Sequence, residues 1–563
     1  MLLLNPKNYQ RNHNCEKSRE IAAKTMAFFE NKGLEQIKKD DQSMIWYDDF
    51  LAFVKEHEIF STLLTPKIAD DENARWDMWR ISEFNEILGF YGLCYWYTWQ
   101  VTILGLGPIW MSNNEALKKK AANMLKNGGI FAFGLSEKEH GADIYSTSMK
   151  LHRQPDGSYL ASGKKYYIGN GNCAALVSTF GKIADTGEYV FFAVESSHEN
   201  YKCIKKIDTS GVRQAYVSEY ELCDYPITEK EILSQGKEAW NTALNTVNIG
   251  KYELGFASIG IATHAFYEAI KHAANRNLYG QLVTDFPHVR RLLTEAYTRL
   301  TAMKLFGMRA ADYMRAANPE DRRYLLFNPI MKMKVTSQGE KVVGLLHDII
   351  AAKGFEQDTY FEMAIRDIGM LPKLEGTVHV NMALIIKFIQ NYFFGPVNYN
   401  DLPKMDQPTH DAYLFNQVNG ELSTIKFPDY RNAYENIETE NVLEFRKQVE
   451  TFREILLKAP PTKEQAKNVD FMLAAGELFT LIAYAQLILE NAKLYQVEED
   501  LLEEIFALLI RDFSEYALEM VLNYDLSTQQ ESYFQTMIQK PLRNHERFNR
   551  LWENHVLPLK DAY

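Results

Sequence analysis

Residues 162–171 read Ser-Gly-Lys-Lys-Tyr-Tyr-Ile-Gly-Asn-Gly, a short aromatic and β-branched run that ends in a turn. A second run of the same kind, Glu188–Val194, follows it, and Asp156-Gly157 supplies a turn before it. Short β-branched and aromatic runs separated by Gly, Asn and Asp are typical of strands and hairpins. We therefore predict a β domain over residues 129–236, built as a compact barrel or sandwich.

The sequence on both sides of this domain has helical periodicity. Leu, Ile, Phe and Trp recur there at spacings of three and four residues, which is the pattern of helices. A stretch rich in Pro, Asn and Asp begins at Gly395 and is typical of a connection. We predict a mostly α, α+β protein with an N-terminal helical domain over 1–128, the β domain over 129–236, a helical bundle over 237–394, a connecting segment over 395–439 and an extra helical domain over 440–563.

Composition limits the class of protein. The chain has 563 residues, and its 46% hydrophobic and 24% charged residues are ordinary for globular domains. With 62 Lys and Arg against 74 Asp and Glu, the formal charge is −12, which argues against nucleic-acid binding. The five cysteines are widely spaced and form no C-x-x-C, which argues against a zinc site or a disulfide framework. We predict a cytoplasmic protein with no metal.

One segment, Phe471–Leu489, is apolar over a length that can span a membrane. Glu477 lies within it, and a carboxylate near the middle of a bilayer costs about 2.5 kcal/mol or more. A helix that is apolar on all sides is also typical of a buried core or a subunit interface. We predict a buried helix and no transmembrane span, while peripheral membrane contact stays open.

Several nucleotide-binding and hydrolase motifs are absent from the sequence. It contains no G-x-G-x-x-G, no G-x-x-x-x-G-K-[ST], no H-E-x-x-H and no G-x-S-x-G. These absences argue against a Rossmann dinucleotide fold and a serine hydrolase. A nucleotide cofactor must therefore be held in another way.

Four other motifs occur in one order along the chain. They are FAFGLSEKEHGAD at 131–143, SGKKYYIGNG at 162–171, RNLYG at 276–280, and KGF at 353–355 followed by RD at 366–367 and LEGT at 374–377. In this order and spacing, the chain from about Gly92 to Phe394 resembles the acyl-CoA dehydrogenase family of flavoproteins. The first motif resembles the family's A-L-T-E-P-x-A-G-S-D, the second its N-G-x-K-x-W-I-T-N-G and the third its R-x-x-F-G.

The resemblance implies an FAD-dependent enzyme of fatty acid metabolism that introduces an α,β double bond into an acyl-CoA thioester. Glu375 matches the family's catalytic Glu, which removes the α-proton while flavin N5 accepts the β-hydride. A carboxylate can act as this base if a closed, apolar site raises its pKa, and Leu371, Pro372 and Leu374 beside it are apolar. Leu374 is also an expected substrate contact.

The resemblance also implies which residues contact the cofactor. Ser136 stands where the family has a Thr whose hydroxyl meets the flavin, and Tyr167 replaces the family's Trp as an aromatic platform. Arg276 matches the Arg that meets the FAD pyrophosphate, often from a neighbouring subunit, and Arg suits bidentate phosphate contact. The other cofactor positions that the resemblance implies are Phe133, Leu135, Gly141, Ala142, Gly169, Tyr279, Phe286, Thr377 and His379.

Some positions depart from the family pattern. Ala142 replaces a Ser and so lacks a hydroxyl that can meet cofactor phosphate or substrate. Gly169 replaces a Thr and so lacks a hydroxyl beside the flavin N5 edge. Lys251 stands where some members have an Arg near the base, and Lys keeps the charge but loses the planar fork. We expect Ala142 and Lys251 to contact substrate, in a divergent branch that carries the extra helical domain of the larger members.

The resemblance implies an electron-transfer flavoprotein as the electron acceptor and a homodimer or homotetramer as the assembly. Four alternatives stay open. An acyl-CoA oxidase would keep the base and differ in O₂ access, and a flavin monooxygenase on the same fold would not need Glu375. An acyl-carrier-protein dehydrogenase would take a different thiol carrier. A catalytically silent flavin-fold protein that binds nucleic acid or a partner is disfavoured by the −12 charge and by Glu375.

Overall fold

The structure is a computed structural model that describes residues 2–9, 15–67, 71–417 and 420–563. The chain divides into two compact units. The sheet unit holds residues 11–260 and 406–419, and the helical unit holds residues 1–10, 261–405 and 420–563. The predicted mostly helical α+β class is confirmed. The finer division into four domains and a connection stays a prediction.

Seven α-helices of the described chain precede the strands of the sheet unit. They are α1 (Glu16–Lys32), α2 (Leu34–Gln42), α3 (Asp48–Glu56), α4 (Ile59–Leu64), α5 (Met78–Tyr91), α6 (Leu93–Met111) and α7 (Glu115–Lys126). Asp77 caps α5 by accepting from the N–H groups of Trp79 and Arg80, and Asn114 caps α7 by accepting from Leu117. Helix α6 is buried along nearly its whole length, which explains why it is apolar and aromatic on all sides.

Eight strands follow α7 and form one sheet. They are β1 (Phe131–Gly134), β2 (Lys150–Arg153), β3 (Tyr159–Gly169), β4 (Leu176–Ile183), β5 (Tyr189–Val194), β6 (Tyr201–Lys206), β7 (Val217–Ile227) and β8 (Ile232–Gln235). The strand order is β6-β7-β3-β2-β4-β5-β8, and β1 pairs in parallel with β4. These eight strands lie between Phe131 and Gln235.

Helix α6 lies directly against strand β1 because Gly105 has no side chain. A Cβ atom at Gly105 would lie 2.6 Å from Ala132 N and 2.7 Å from Ala132 O. Ser178 Oγ on β4 donates to Gly105 O at 2.7 Å, and Asn170 Nδ2, just after β3, donates to Phe131 O at 3.0 Å. The helix therefore supports the strands that carry the first two motifs.

A 40-residue helix, α8 (Gly236–Asn275), leads to a hairpin of β9 (Asn277–Leu278) and β10 (Gln281–Leu282). The helices that follow are α9 (Pro287–Arg315), α10 (Tyr324–Ile330), α11 (Thr336–Ile350), α12 (Tyr360–Ile368), α13 (Val378–Ile385), α14 (Ile389–Phe393), α15 (Glu440–Lys458), α16 (Val469–Tyr495), α17 (Glu499–Asn523), α18 (Thr528–Met537) and α19 (His545–Leu551). Two π-helical segments, Met331–Val335 and Trp552–Val556, follow α10 and α19. Within the part of the predicted connecting segment that the structure describes, 395–417 and 420–439, there are three 3-10 turns, Ala412–Phe415, Leu422–Thr424 and Tyr430–Tyr434.

Helix α16 contains the apolar segment found in the sequence. By length and composition it is the one helix of the described residues that could cross a membrane, and 72% of its most apolar window is buried in the protein. Asn491 Nδ2 on α16 donates to Leu305 O on α9 at 2.7 Å. Burial raises the pKa of Glu477 in this helix, while Lys334 and Tyr516 act in the opposite direction. These contacts favour the predicted buried helix.

A buried ion pair joins α9 to α17. The two terminal nitrogens of Arg299 donate to the two carboxylate oxygens of Asp512 at 2.7 and 2.8 Å, and Arg299 Nε donates to Glu295 at 3.0 Å. Burial alone would raise the pKa of Asp512, but Arg299 holds it below its usual range. Buried charges need such partners. Because α9 and α17 come from distant parts of the sequence, the pair helps to hold residues 261–405 and 420–563 in one unit.

Candidate functional site

The first two sequence motifs meet where β1 ends and β3 runs beside it in the sheet unit. The Tyr166 N–H donates to Ser136 O at 3.1 Å, and Ser136 Oγ donates to Tyr166 O at 2.8 Å. Lys165 Nζ donates to Leu135 O at 3.0 Å. Leu135, Ser136 and Tyr167 are thus brought together. Because the Ser136 hydroxyl already donates to Tyr166 O, its acceptor lone pairs remain to meet a cofactor.

A buried ion pair holds these two segments. Lys165 is fully buried, and its Nζ lies 2.8 Å from Glu137 Oε1. Thr147 Oγ1 also donates to Glu137, and the Ser148 N–H donates to it at 2.7 Å. Burial alone would raise the pKa of Glu137, but the Lys165 charge and these hydrogen bonds hold it at about 2. The backbone on either side of Ser136 is therefore fixed by charge as well as by strand pairing.

Tyr167 presents its ring to the surface because β3 bulges there. The register with β7 shifts between Tyr166 and Ile168, and Tyr167 has a φ of 68°. A bulge re-aims the side chain of the extra residue, and Tyr167 is 47% exposed. This exposure suits the predicted aromatic platform. Phe133, by contrast, is buried and stacks on Phe191, with 5.9 Å between ring centroids.

Gly169 lies against α6, where Tyr97 and Val101 leave no room for a side chain. A Cβ atom at Gly169 would lie 2.7 Å from Tyr97 Cε1 and from Val101 Cγ2, and 3.0 Å from the Tyr97 hydroxyl. The Tyr97 ring thus occupies the place of a residue-169 side chain. At Gly141 a Cβ atom would meet nothing within 4 Å, and Ala142 beside it is exposed, so the space in front of this loop is open.

In the helical unit, Glu375 lies in a tight turn between α12 and α13. Its φ is 52° and that of Gly376 is 88°, so two consecutive residues are left-handed. A non-glycine residue persists in this region only where its surroundings hold it. Leu374 and Glu375 are half-buried, while Thr377 and His379 at the start of α13 are exposed.

Two side chains hold this turn through its carbonyl oxygens. Lys332 Nζ donates to Pro372 O at 2.6 Å and also to Gly376 O. Asn381 Nδ2 donates to Gly376 O at 3.1 Å and to Thr377 O at 3.0 Å. The sequence motifs contain neither Lys332 nor Asn381, and no local pattern marks them, because their contacts form only in the folded unit.

Arg276 belongs to a cationic cluster at the end of α8. The Val283 N–H donates to Arg276 O at 2.9 Å, which closes the hairpin behind it, and Tyr279 at the hairpin tip is 96% exposed. Burial, and then the charges of Arg276 and Lys353, lower the pKa of His272. The sequence does not predict that His272 and Lys353 lie near Arg276. The lowered pKa favours neutral His272, so the positive charge here comes from Arg276 and Lys353, and such charge suits a pyrophosphate.

Two predicted site residues, Phe286 and Lys251, belong to neither the Ser136 region, the turn at Glu375 nor the hairpin after Arg276. Phe286 is half-buried just before α9, and Lys251 lies on α8 and is 8% exposed. Among the side chains that the structure describes, no three or more His, Cys, Asp or Glu group as a metal site. The structure gives the neighbours and the burial of each predicted site residue. The role of each residue toward a cofactor or substrate stays a prediction.

Comparison with known proteins finds one family model, several relatives and solved structures of similar fold. Residues 238–390 match the family model described as acyl-CoA dehydrogenase, C-terminal domain. The chain is 25% identical over 295 residues to an acyl-CoA dehydrogenase of Bacillus subtilis, covering 51% of this chain and 76% of the relative. It is 23% identical over 279 residues to a probable short/branched chain specific acyl-CoA dehydrogenase of Dictyostelium discoideum, covering 49% and 67%. The solved acyl-CoA dehydrogenase complexed with FAD from Bacillus anthracis has a TM-score of 0.77 at 17% identity, covering 100% of this chain and 97% of that chain.

The fold and the matched region define a flavin oxidoreductase, as the sequence predicts. The chain resembles the acyl-CoA dehydrogenase family as a divergent, larger relative, and residues 238–390 match the model of that family's C-terminal domain. The general activity of this family is FAD-dependent dehydrogenation of acyl-CoA thioesters. The likeness in fold extends over the whole chain and therefore includes the helices after residue 440.

Replacing Glu137 by Gln tests the buried pair of the sheet unit. Breaking a buried ion pair costs about 3–5 kcal/mol, so we expect Glu137→Gln to lower the free energy of unfolding by that amount. Unfolding in urea can be followed by Trp fluorescence, because seven of the eight Trp residues lie in the sheet unit. The exposed neighbour Glu139 is the control, and Glu139→Gln should change stability by less than about 0.5 kcal/mol.

The same pair predicts how stability depends on pH. Because the folded pKa of Glu137 is about 2, below an ordinary value of about 4.3, its contribution is complete above about pH 4.5. The contribution of the Glu137 carboxylate to the free energy of unfolding is lost as the pH falls from about 4.5 to about 2. Glu137→Gln should remove this part of the acid dependence of stability. Equal stability and equal acid dependence in the variant and the wild type would contradict the pairing.

Adding a single methyl group at Gly169 tests the packing of Tyr97. We expect Gly169→Ala to lower the free energy of unfolding by about 1–3 kcal/mol, because the new Cβ overlaps a rigid ring and a branched side chain. Gly141→Ala, in open space, should leave stability nearly unchanged. In the double variant Gly169→Ala/Tyr97→Ala, the loss should be smaller than the sum of the two single losses. Additive losses would argue against direct contact.

Proposed function

We propose that this protein uses FAD to introduce an α,β double bond into an acyl thioester, and that Glu375 is the base that removes the α-proton. The observation that carries the proposal is the left-handed turn at Glu375 and Gly376, with φ values of 52° and 88°. Strained backbone at a non-glycine residue is costly and clusters at active sites. The sequence resemblance supports the same assignment, since Glu375 matches the catalytic Glu of the family's motif.

The turn gives Glu375 what a general base needs, which is a fixed position. Proton transfer requires the carboxylate within hydrogen-bond reach of the α-carbon proton, and small misplacements are expensive. Lys332 and Asn381 hold the carbonyl groups around Glu375, so its side chain projects from a fixed backbone. The N–H of Glu375 belongs to the same turn, and we propose that it donates to the thioester oxygen as negative charge develops there.

Each unit, taken by itself, contains residues that suit a part of FAD. Tyr167 offers an exposed ring for stacking, Ser136 offers acceptor lone pairs, and the space in front of Gly141 is open. In the helical unit, Arg276 and the nearby Lys353 offer positive charge for the pyrophosphate. When bound, FAD would supply the acceptor for the hydride that leaves the β-carbon.

The substrate and partner assignments are also proposals. We propose an acyl-CoA substrate that contacts Leu374, Ala142 and Lys251, and an electron-transfer flavoprotein as acceptor. We further propose a homodimer or homotetramer in the cytoplasm. The oxidase and acyl-carrier-protein alternatives use the same base and differ in acceptor or carrier, whereas a monooxygenase would leave Glu375 without a function.

Removing the base is the decisive variant. We expect Glu375→Gln to retain bound flavin but to lose about 10²- to 10⁴-fold in the rate at which an acyl-CoA bleaches the flavin bands under anaerobic conditions, because general base catalysis is worth that much. Stopped-flow absorbance measures the rate. The exposed carboxylate of Glu546 on α19 gives the control, and Glu546→Gln should bleach like the wild type.

Two outcomes would contradict the proposal. Bleaching of Glu375→Gln at the wild-type rate would remove Glu375 from its role as the base. A purified protein that is colourless and gains no flavin absorbance when FAD is added would remove the cofactor.

A further inference from the structure

The turn that holds Glu375 depends on a lysine from a different part of the sequence. Lys332 lies in the π-helical segment Met331–Val335, between α10 and α11. The preceding turn of α10 contains Pro329, which has no N–H to donate within the helix. Single π-helical turns inside α-helices are rare and occur frequently at functional sites. Lys332 is thus located in a type of helical segment that is common at functional sites.

Lys332 is fully buried, and its ammonium group contacts backbone oxygens on both sides of Glu375. Pro372 O, three residues before Glu375, accepts from Nζ at 2.6 Å, and Gly376 O, one residue after it, accepts from the same nitrogen. Hydrogen bonds from a charged donor are shorter and stronger than neutral ones. A single charged group thereby joins the two ends of the strained turn.

We infer that Lys332 is the positioning residue of the base, which holds the carbonyl groups of Pro372 and Gly376 and so keeps Glu375 in its left-handed conformation. This inference rests on the proposed function, because it takes Glu375 as the base. It goes beyond that function by assigning a role to a residue outside the four sequence motifs. Asn381 holds only the carbonyl groups after Glu375, so it cannot replace Lys332 at Pro372.

The same π-helical segment offers a matched control. Lys334 lies two residues from Lys332 and is 3% exposed, but its Nζ faces the ring of Tyr516 at 5.5 Å from the centroid. Replacing either lysine by Met removes one buried charge and keeps a side chain of similar length. General effects of losing a buried lysine should therefore appear in both variants, whereas effects on the turn at Glu375 should appear only in Lys332→Met.

The first measurement is independent of activity and of the cofactor's chemistry. Amide hydrogen exchange, read by mass spectrometry on the full-length flavin-loaded protein, reports how well the segment 372–377 is held. We expect Lys332→Met to speed exchange in the peptide that contains this segment by at least about tenfold, and Lys334→Met to leave it unchanged. Equal exchange in Lys332→Met and wild type would overturn the inference.

The second measurement separates positioning from loss of folded enzyme. In single-turnover anaerobic bleaching by saturating acyl-CoA, a misplaced base lowers the rate constant while all the flavin still reacts. We expect the rate constant of Lys332→Met to fall about 10- to 100-fold with full amplitude, and the isotope effect from α-deuterated substrate to be at least as large as in the wild type. A reduced amplitude with a wild-type rate constant would mean a structural role only and would overturn the inference.

The outcomes also distinguish this inference from the proposed function. If Glu375→Gln bleaches at the wild-type rate, the proposed function fails, while hydrogen exchange still decides whether Lys332 holds the turn. If Glu375→Gln loses bleaching but Lys332→Met matches the wild type in rate and exchange, only the inference fails. If Lys332→Met does not fold, Lys332→Gln can replace it, because Gln keeps a neutral donor of similar reach. Lys332→Gln should speed exchange in segment 372–377 and lower the bleaching rate constant, each by less than expected for Lys332→Met. Wild-type values of both quantities in Lys332→Gln would overturn the inference.

Discussion

Lys165 and Glu137 are buried together in the sheet unit, with 2.8 Å between Nζ and Oε1. A charge removed from water is tolerated only with a partner, so the strand that carries Lys165 cannot separate from the segment that carries Glu137. Ser136 and Tyr167 lie next to these two residues in sequence. The pair therefore fixes the backbone from which the proposed cofactor contacts project, before any ligand binds.

The same constraint acts in the helical unit. Arg299 and Asp512 join α9 to α17, and Lys332 joins its π-helical segment to the turn at Glu375. The partners of Lys332 are the carbonyl oxygens of Pro372 and Gly376. These oxygens accept from the ammonium group, and the ammonium group fixes the turn to which they belong. A base can be kept in a strained conformation only if such contacts repay the strain. Buried charge thus links the stability of the fold to the geometry of the proposed chemistry.

Much of this organisation could be predicted from the sequence, and the rest could not for physical reasons. The strands around Tyr167, the helix that contains Glu477 and the motif at Glu375 follow from local periodicity, turn residues and order of motifs. Tyr97 fills the space beside Gly169 from a distant helix, and Lys332 reaches the turn at Glu375 across the unit. These contacts depend on packing between segments far apart in sequence, and no local pattern encodes them. The hydrogen bond from Ser136 Oγ to Tyr166 O is another contact of this kind.

The central claim is that this protein, which resembles the acyl-CoA dehydrogenases, oxidises an acyl thioester with FAD and uses Glu375 as base. The most direct measurement is an anaerobic titration of the purified protein with acyl-CoA thioesters of increasing chain length, with flavin absorbance and product mass recorded together. We expect the flavin bands to bleach with at least one chain length and the product to be lighter by two hydrogens. A flavin-containing protein whose absorbance no acyl thioester changes, and which yields no lighter product, would contradict the claim.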